Sequence, residues 1–358
     1  MKPLTRYLLR EQLKVLSMAL GGFVLIFLAV EALERTEAVL TYGAPLRLLG
    51  LFLLYRTPAY LVQSLPFALL MATMVTLGLM GRNREILAMK VHGVGNYTIL
   101  APFLLTSMAV AVVVFLGLEG AVPRLLQEAD HLWSVRIKGE KERAFFKAEK
   151  VWYLGDGVIY NIRLVKGGEL RGVTILYLTK GMELKERIDA KRAHYLGGHW
   201  VLYDPTVRTF LPGGVRETRV PKLKLYLKET PEDFQRGMKD PEEMSYTELR
   251  RYVRKLRREG YDPTRYVVNL HAKVAFPFTS VILVLVGVPL ALWTSRRREG
   301  GIPLGIALSV AVGMLYWVAF AVSVAAGQGG LLPPWLSAWV ANLFFAAVGL
   351  YLLEALPY

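Results

Sequence analysis

The chain has 358 residues, is 54 % hydrophobic and 20 % charged, and carries a formal net charge of +15. The charges are uneven: Glu119 to Asp262 with Arg265 holds 30 of the 44 Lys+Arg and 22 of the 29 Asp+Glu, and the rest is long apolar runs with short basic breaks. That excludes a single soluble domain and points to a membrane protein with one large soluble insert. The insert accounts for +8 of the charge with both signs interleaved, and the other +7 clusters beside the apolar runs, so membrane topology explains the basic excess better than nucleic-acid binding does. With no cysteine there are no disulfides and no thiolate chemistry, and the insert must be stable on packing alone.

Met1 to Lys14 carries Lys2, Arg6, Arg10 and Lys14 against Glu11, and the first apolar run, Val15 to Val30, has 16 uncharged residues. A basic start before an apolar run resembles a signal peptide, but the basic region is long and helix-compatible and no clear cleavage site follows. A helix from Leu4 to beyond Leu33 is expected, with Arg10 and Lys14 snorkelling to the interface. Glu31 to Arg56 reads as a mixed loop of zero net charge, with an interfacial helix over Leu46 to Tyr55 ahead of Pro58. Thr57 to Gly81 has no charge over 25 positions and Asn96 to Leu118 none over 23, each enough to cross about 30 Å of hydrocarbon.

Between them lies Arg82 to Gly95, which must sit at one membrane face. Ile86, Met89 and Lys90 fall at helical spacing and Gly93 is a natural stop, so a short helix is expected. It is either a solvated connector or a stub that takes a push from a soluble partner.

From about Lys150 to Lys228 the apolar pattern alternates. Val158, Tyr160, Ile162 and Leu164 alternate with Asn161 and Arg163, and Leu223, Leu225 and Leu227 with Lys222, Lys224 and Lys228. Turn signals recur at Gly155-Asp156-Gly157, Gly167-Gly168, Gly197-Gly198 and Pro212-Gly213-Gly214. Short strands at this spacing predict an antiparallel β-sandwich or jelly roll. Pro241 to Gly260 reads as a helix with Ser245 as N-cap and Glu248 three residues on. A fourth span, Val274 to Ser295, holds Pro277 and Pro289. After Arg296-Arg297-Arg298-Glu299 come 54 uncharged residues, two spans divided near Gly327-Gln328-Gly329-Gly330.

The expected fold class is an α-helical polytopic membrane protein of six spans, 3+3, with an inserted antiparallel β-jellyroll domain: 1–118, 119–265 and 266–358. Met1–Lys14, Arg82–Lys90 and Arg296–Glu299 are net basic and fall on one side, so the Lys/Arg bias puts both termini in the cytoplasm and the insert outside, in the periplasm of a cell with two membranes.

Enzyme signatures are missing: there is no G-x-x-x-x-G-K-[ST], H-E-x-x-H or G-x-S-x-G. His194 and His199 flank a predicted turn without nearby carboxylates and read as strand-end histidines, not metal ligands. Glu31, Glu34 and Glu37, the only carboxylates that a head-group enzyme at the outer face could use, read as one solvated helix edge. The uncharged span cores argue that any transport draws its energy from a partner. Arg35, Arg47 and Arg56 lie near the outer ends of the first two spans, where they either anchor the interface or hold phosphates in paired hydrogen bonds.

Layout and residues together resemble the LptF/LptG family of lipopolysaccharide export permeases over essentially the whole chain. Arg82-Asn83-Arg84-Glu85-Ile86-Leu87-Ala88-Met89-Lys90-Val91-His92-Gly93 is similar to that family's coupling-helix motif, with Arg84 where a small polar residue is frequent. Met244 to Tyr252 resembles the helix leading out of the jelly roll, Tyr266 to Lys273 with Pro277 the start of the fourth span, and Val158 to Val165 an early jelly-roll strand. Leu28 to Arg35 and the Val165-Lys166-Gly167 turn are more similar to the LptG branch than to LptF.

The resemblance implies a non-catalytic subunit of an ABC transporter in the bacterial inner membrane. Its partners are a paralogous six-span permease (LptF), a dimeric cytoplasmic ATPase (LptB), the jelly-roll proteins LptC and LptA, and lipopolysaccharide. ATP and Mg belong to the ATPase, and no cofactor or metal to this chain. By the same resemblance the first and fifth spans frame a lipid cavity, and Arg82, Arg84, Glu85, Met89, His92 and Gly93 couple to the ATPase. Arg35 matches a position that meets lipid phosphates in that family, Arg47 and Arg56 are added to it by their place near the outer span ends alone, and Tyr160, Ile162, Val173 and Ile175 are expected to line a jelly-roll lipid path. Another lipid or lipoprotein ABC permease is the alternative, but lipoprotein-releasing permeases have four spans with the outer domain after the first; a membrane-embedded head-group enzyme is the further one.

Overall fold

The structure is a computed structural model that describes residues 2–139, 144–147, 150–154, 158–166, 169–179, 184–211, 214–227, 231, 234, 241–258, 262–295 and 301–355. The turns at Gly155–Gly157, Gly167–Gly168 and Pro212–Gly213, the Gly260 stop and the Arg296–Glu299 break lie outside the described residues. The chain forms two compact units, 1–137 with 241–358, and 138–240.

Among the described residues the first unit holds six helices long and apolar enough to cross a membrane. They are α1 (Lys2–Thr41), α2 (Leu46–Arg82), α4 (Asn96–Glu119), α7 (Thr264–Thr294), α8 (Gly301–Gln328) and α9 (Pro334–Glu354). Between them run α3 (Glu85–Val91), α5 (Ala121–His131), a π-helical turn (Leu132–Ile137) and α6 (Tyr246–Arg258).

Two expectations are corrected here. Glu31 to Arg56 is not a loop: α1 continues to Thr41 and α2 starts at Leu46. No separate interfacial helix covers Leu46–Tyr55, because α2 runs unbroken through Pro58. Pro58 leaves the Leu54 carbonyl without its helical N–H, and an apolar helix tolerates this through local adjustment and its neighbouring helices; the Thr57 hydroxyl beside it donates to the Leu53 carbonyl at 2.8 Å. At 40 residues α1 is about 60 Å long, twice the hydrocarbon thickness, so its charged ends project from the apolar layer.

Small residues and a few buried hydrogen bonds set the helix packing. A Cβ at Gly287 of α7 would meet the Leu70 side chain of α2 at 2.7 Å, so the two helices meet where no side chain intervenes. The Tyr316 hydroxyl on α8 lies 2.7 Å from Thr279 on α7 and donates to Asn342 on α9 at 2.7 Å; the Asn342 amide in turn donates to the Ala275 carbonyl at 2.9 Å. On the other side Gln12 of α1 donates to Thr73 of α2 at 3.1 Å. Burial is unequal: the apolar stretch of α2 is mostly buried, while those of α1 and α8 are mostly uncovered.

Among the described residues every strand pairing of the second unit is antiparallel. Its strands are β1 (Ala144–Lys147), β2 (Lys150–Leu154), β3 (Val158–Lys166), β4 (Glu169–Leu178), β5 (Leu184–Leu196), β6 (His199–Tyr203), β7 (Thr206–Leu211), β8 (Gly214–Arg219) and β9 (Lys222–Leu225). The path is β1-β2-β3-β4-β5-β6-β9. The β7–β8 hairpin joins through β7, which pairs with Glu186–Asp189 of β5 while β6 takes Arg192–Leu196 on the same edge. The predicted Gly197-Gly198 turn closes the β5–β6 hairpin, with both glycines at positive φ (+55° and +84°) as a two-residue hairpin of this hand requires. This is the expected architecture of six spans with an antiparallel β insert between the third and fourth.

Candidate functional site

The sequence-predicted residues fall in three places. The first is the connector between α2 and α3. Only Asn83 and Arg84 join the two helices, and Arg84 takes φ +59°, a left-handed conformation that costs a non-glycine residue about 1 kcal/mol. Ile86 is buried and Met89 packs on the membrane core, which fixes one side of α3. Glu85 is held by two neighbours: the Tyr7 hydroxyl of α1 donates to one carboxylate oxygen at 2.9 Å and the Asn83 amide to the other at 3.1 Å.

The helix ends as expected. Gly93 sits at φ +77°, its N–H donates to the Lys90 carbonyl at 2.9 Å, and the Val94 N–H donates to Met89 at 3.0 Å, a Schellman closure. His92 caps the end with its ring 2.8 Å from the Ala88 carbonyl. What remains outward is Arg82, Arg84, Leu87, Ala88, Val91 and His92. Leu87 and Val91, one helical turn apart, are 61 % and 77 % exposed.

The second place is a charged knot where α1 meets α2. Glu31, expected on a solvated edge, is buried and accepts from Arg35 at 3.0 Å and from the Tyr60 hydroxyl at 2.7 Å, with Arg56 at 3.5 Å. Its burial follows from the helical continuation of α1, which turns Glu31 toward α2 and leaves Glu34 and Glu37 exposed. The Arg35 guanidinium lies over the Trp133 ring, 4.3 Å from its centroid, and the Arg56 guanidinium stands 5.7 Å from the Phe52 ring. Arg35 and Arg56 are therefore brought together around one carboxylate. Arg47 is not: it is exposed and has no hydrogen bond or ion pair among the described residues.

The third place is the β interior. Ile162 pairs with Val173 and Tyr160 with Ile175 across β3 and β4, and all four side chains are buried in one apolar cluster. Phe234 and Trp200 close that cluster, with the Phe234 ring 5.1 Å from Tyr160 and 5.7 Å from Trp200. On the outward face Asp189 accepts from Thr174 at 2.8 Å, from Arg187 at 2.8 and 2.9 Å, and from Arg208 at 3.0 Å. Burial alone would raise the Asp189 carboxyl, but the hydrogen bonds from Arg187 and Thr174 and the charges of Arg187 and Arg208 outweigh it and hold it below the ordinary carboxylate value.

A family model described as lipopolysaccharide export system permease LptF/LptG matches residues 6–355. The chain belongs to the LptF/LptG family. It is 21 % identical over 314 residues to the lipopolysaccharide export system permease protein LptG of Escherichia coli strain K12, covering 85 % of this chain and 84 % of that one. The same figures hold for LptG of Escherichia coli O6:H1 strain CFT073.

Sequence reasoning missed the partners that complete these places. Tyr7 holds Glu85 from 78 positions away, and Tyr60 and Trp133 complete the arginine knot. Only the Glu31–Arg35 spacing of four was a readable signal, since on a helix it sets the two side chains side by side.

Proposed function

We propose that this chain is the LptG-type membrane subunit of an ABC transporter that extracts lipopolysaccharide from the inner membrane and passes it to a periplasmic jelly-roll bridge. Both termini and α3 are cytoplasmic and the β unit is periplasmic. The observation that carries the reading is α3, fixed on one side by Ile86, Met89 and Glu85 and presenting Leu87 and Val91 uncovered on the other. A helix that only closed a loop gains nothing from two exposed aliphatic side chains one turn apart; a helix that seats in a groove of a partner ATPase does.

The ATPase, LptB, supplies ATP and Mg, and this chain supplies the mechanical connection. A paralogous LptF-type subunit covers the sparsely buried α1 and α8, and the cavity between the two permeases holds the lipid. Arg35 and Arg56 grip its phosphates. Several acyl chains cannot leave a bilayer unaided, because each buried CH₂ is worth about 0.8 kcal/mol. Closure driven by the ATPase lifts them, and the apolar interior around Tyr160, Ile162, Val173 and Ile175 shields them on the way to LptC and LptA.

Affinity purification of the tagged chain from its native membrane, with mass spectrometry of proteins and lipids, tests this. Recovery of a six-span paralogue, an ATPase and lipopolysaccharide is expected, and Leu87→Asp with Val91→Asp should lose the ATPase alone. Recovery of the chain with bulk phospholipid only overturns the reading. Orientation is checked on the cysteine-free background: a membrane-impermeant maleimide should label Thr218→Cys from outside the cell and leave His92→Cys unlabelled.

A further inference from the structure

Helix α6 carries Arg250, Arg251, Arg254, Arg257 and Arg258, all exposed, on the side opposite its buried residues Leu249, Tyr252, Val253 and Leu256. No aspartate or glutamate occurs from Leu249 to Arg258. Arg250, Arg254, Arg257 and Arg258 have no hydrogen bond or ion pair among the described residues.

The position of α6 is fixed at its start and at its middle. The Glu119 carboxylate, at the end of α4, accepts from the backbone N–H of Tyr246 at 2.7 Å and of Thr247 at 3.4 Å, and from the Thr247 hydroxyl. Ser245 and Glu248 exchange backbone and side-chain hydrogen bonds at 3.0 and 3.1 Å, the predicted capping box. Tyr252 stands edge-on to Tyr266, in the first turns of α7, at 4.8 Å. One span separates α3 from Glu119, so α6 lies at the membrane face opposite α3, beside the outer end of α4 and the start of α7.

Ordinary helix energetics does not account for this face. Arginines at spacings of three and four (250/254, 251/254, 254/257, 254/258) repel one another. A helix C-terminus favours Arg257 and Arg258, but the N-terminal half disfavours Arg250 and Arg251. The β unit, by contrast, pairs its arginines with acids, as Arg187, Arg208 and Arg219 do with Asp189 and Glu217. Five arginines beside a span on the outer side also run against the Lys/Arg bias of the rest of the chain.

We propose that the arginine face of α6 binds the phosphates of anionic phospholipid head groups in the leaflet around it. A guanidinium takes a phosphate in two parallel hydrogen bonds, and a row of them along an interfacial helix matches a row of head groups. The site rests on the membrane placement of the chain and not on the identity of its cargo.

The test is native mass spectrometry of the full chain in detergent, titrated with phosphatidylglycerol or phosphatidylcholine. The unmodified chain should bind phosphatidylglycerol more tightly. Arg254→Gln, at the centre of the face, should weaken the first bound phosphatidylglycerol about fivefold at low salt, and replacing Arg250, Arg254, Arg257 and Arg258 together by Gln should abolish the preference. These side chains are exposed, and an unchanged thermal unfolding midpoint shows that the variants remain folded. Equal phosphatidylglycerol binding by the fourfold variant overturns the proposal. So does a variant that loses only added lipopolysaccharide, since that places the face in the cargo path. If the export reading fails but the phosphatidylglycerol preference falls with the arginines, the proposal stands.

Discussion

Replacing Glu31 by Gln separates the two roles of the arginine knot. Glu31 accepts from Arg35 at 3.0 Å and Tyr60 at 2.7 Å and faces Arg56 at 3.5 Å. Gln keeps an acceptor for Tyr60 but removes the charge both guanidiniums share. Breaking a fully buried pair costs about 3–5 kcal/mol and an exposed pair about 0–1 kcal/mol. Here the Glu31 side chain is 11 % exposed, Arg35 34 % and Arg56 27 %, and Arg35 keeps its seat on Trp133. The loss should lie between those limits, about 2 kcal/mol, and should lower the thermal midpoint of the purified chain by a few degrees.

The gain should appear in lipid binding. Without Glu31 the two guanidiniums must take another anion, and each freed charge-assisted hydrogen bond is worth about 1.5–3 kcal/mol. On the extraction reading, Glu31→Gln therefore retains about tenfold more lipopolysaccharide through purification and releases it more slowly when the ATPase turns over. Arg35→Gln should retain less than the unmodified chain. The assay is lipid A phosphate per mole of protein, with the unfolding midpoint read on the same samples. If Glu31→Gln loses stability while neither substitution changes retained lipid, the knot is a strut between α1 and α2 and not a phosphate grip.

Gly93→Ala should cost about 1 kcal/mol because its φ of +77° suits only glycine, and Gly93→Pro should cost more, since proline cannot adopt that φ and also removes the N–H bonded to Lys90; copurified ATPase should fall with the second while the spans stay folded by circular dichroism. Phe234→Ala should destabilise the β unit by about 3–5 kcal/mol, leaving an apolar cavity beside Tyr160 and Trp200, with partial rescue by a saturating long-chain fatty acid in a thermal-shift assay; a loss under about 1 kcal/mol means the interior collapses to fill the space. Asp189 has a folded-state pKa below its ordinary 3.8, so its stabilisation is fully present above that value and is lost as pH falls through the lower folded value. Acid titration of the unfolding midpoint should show that loss below about pH 4, and Asp189→Asn should flatten it.

The elements that could be read in advance are those with a local physical signature. Alternation placed Tyr160 and Ile162 on one face, Gly197-Gly198 marked a hairpin, Ser245 with Glu248 marked a helix start, and Gly93 marked a helix end. Charge, used as a boundary, misled. Glu31, Arg35 and Arg56 broke the apolar runs and so read as a loop, although i,i+4 pairing and a cross-helix pair let all three stay helical. Pro58 misled in the same way, since an apolar helix packed among others continues through a proline by local adjustment. Tyr7 to Glu85, Tyr60 to Glu31 and Phe234 to Trp200 join residues 78, 29 and 34 positions apart, and no pattern along the chain records such distances.

The helical continuation of α1 changes what the candidate sites can do together. One uninterrupted helix carries Tyr7, bonded to Glu85 of the α3 connector, and Arg35, paired through Glu31 with Arg56 and seated on Trp133. The two positions are 28 residues apart, about 42 Å along the helix axis. Between them Leu8 and Leu16 are buried in the core of the first unit, Gln12 donates to Thr73 of α2, and Phe27 stacks on Tyr60 of α2 at 5.5 Å, while most of the apolar surface of α1 stays uncovered. A continuous helix bonded at both positions carries a displacement of one to the other together with the part of α2 packed along it. Had Glu31 to Arg56 been a loop, Arg35 would have moved independently of α3, and a push at the cytoplasmic face could have reached it only through α2. With the helix continuous, a partner that shifts α3 acts on the same element that holds the arginines, and on the extraction reading docking and lipid release become one motion.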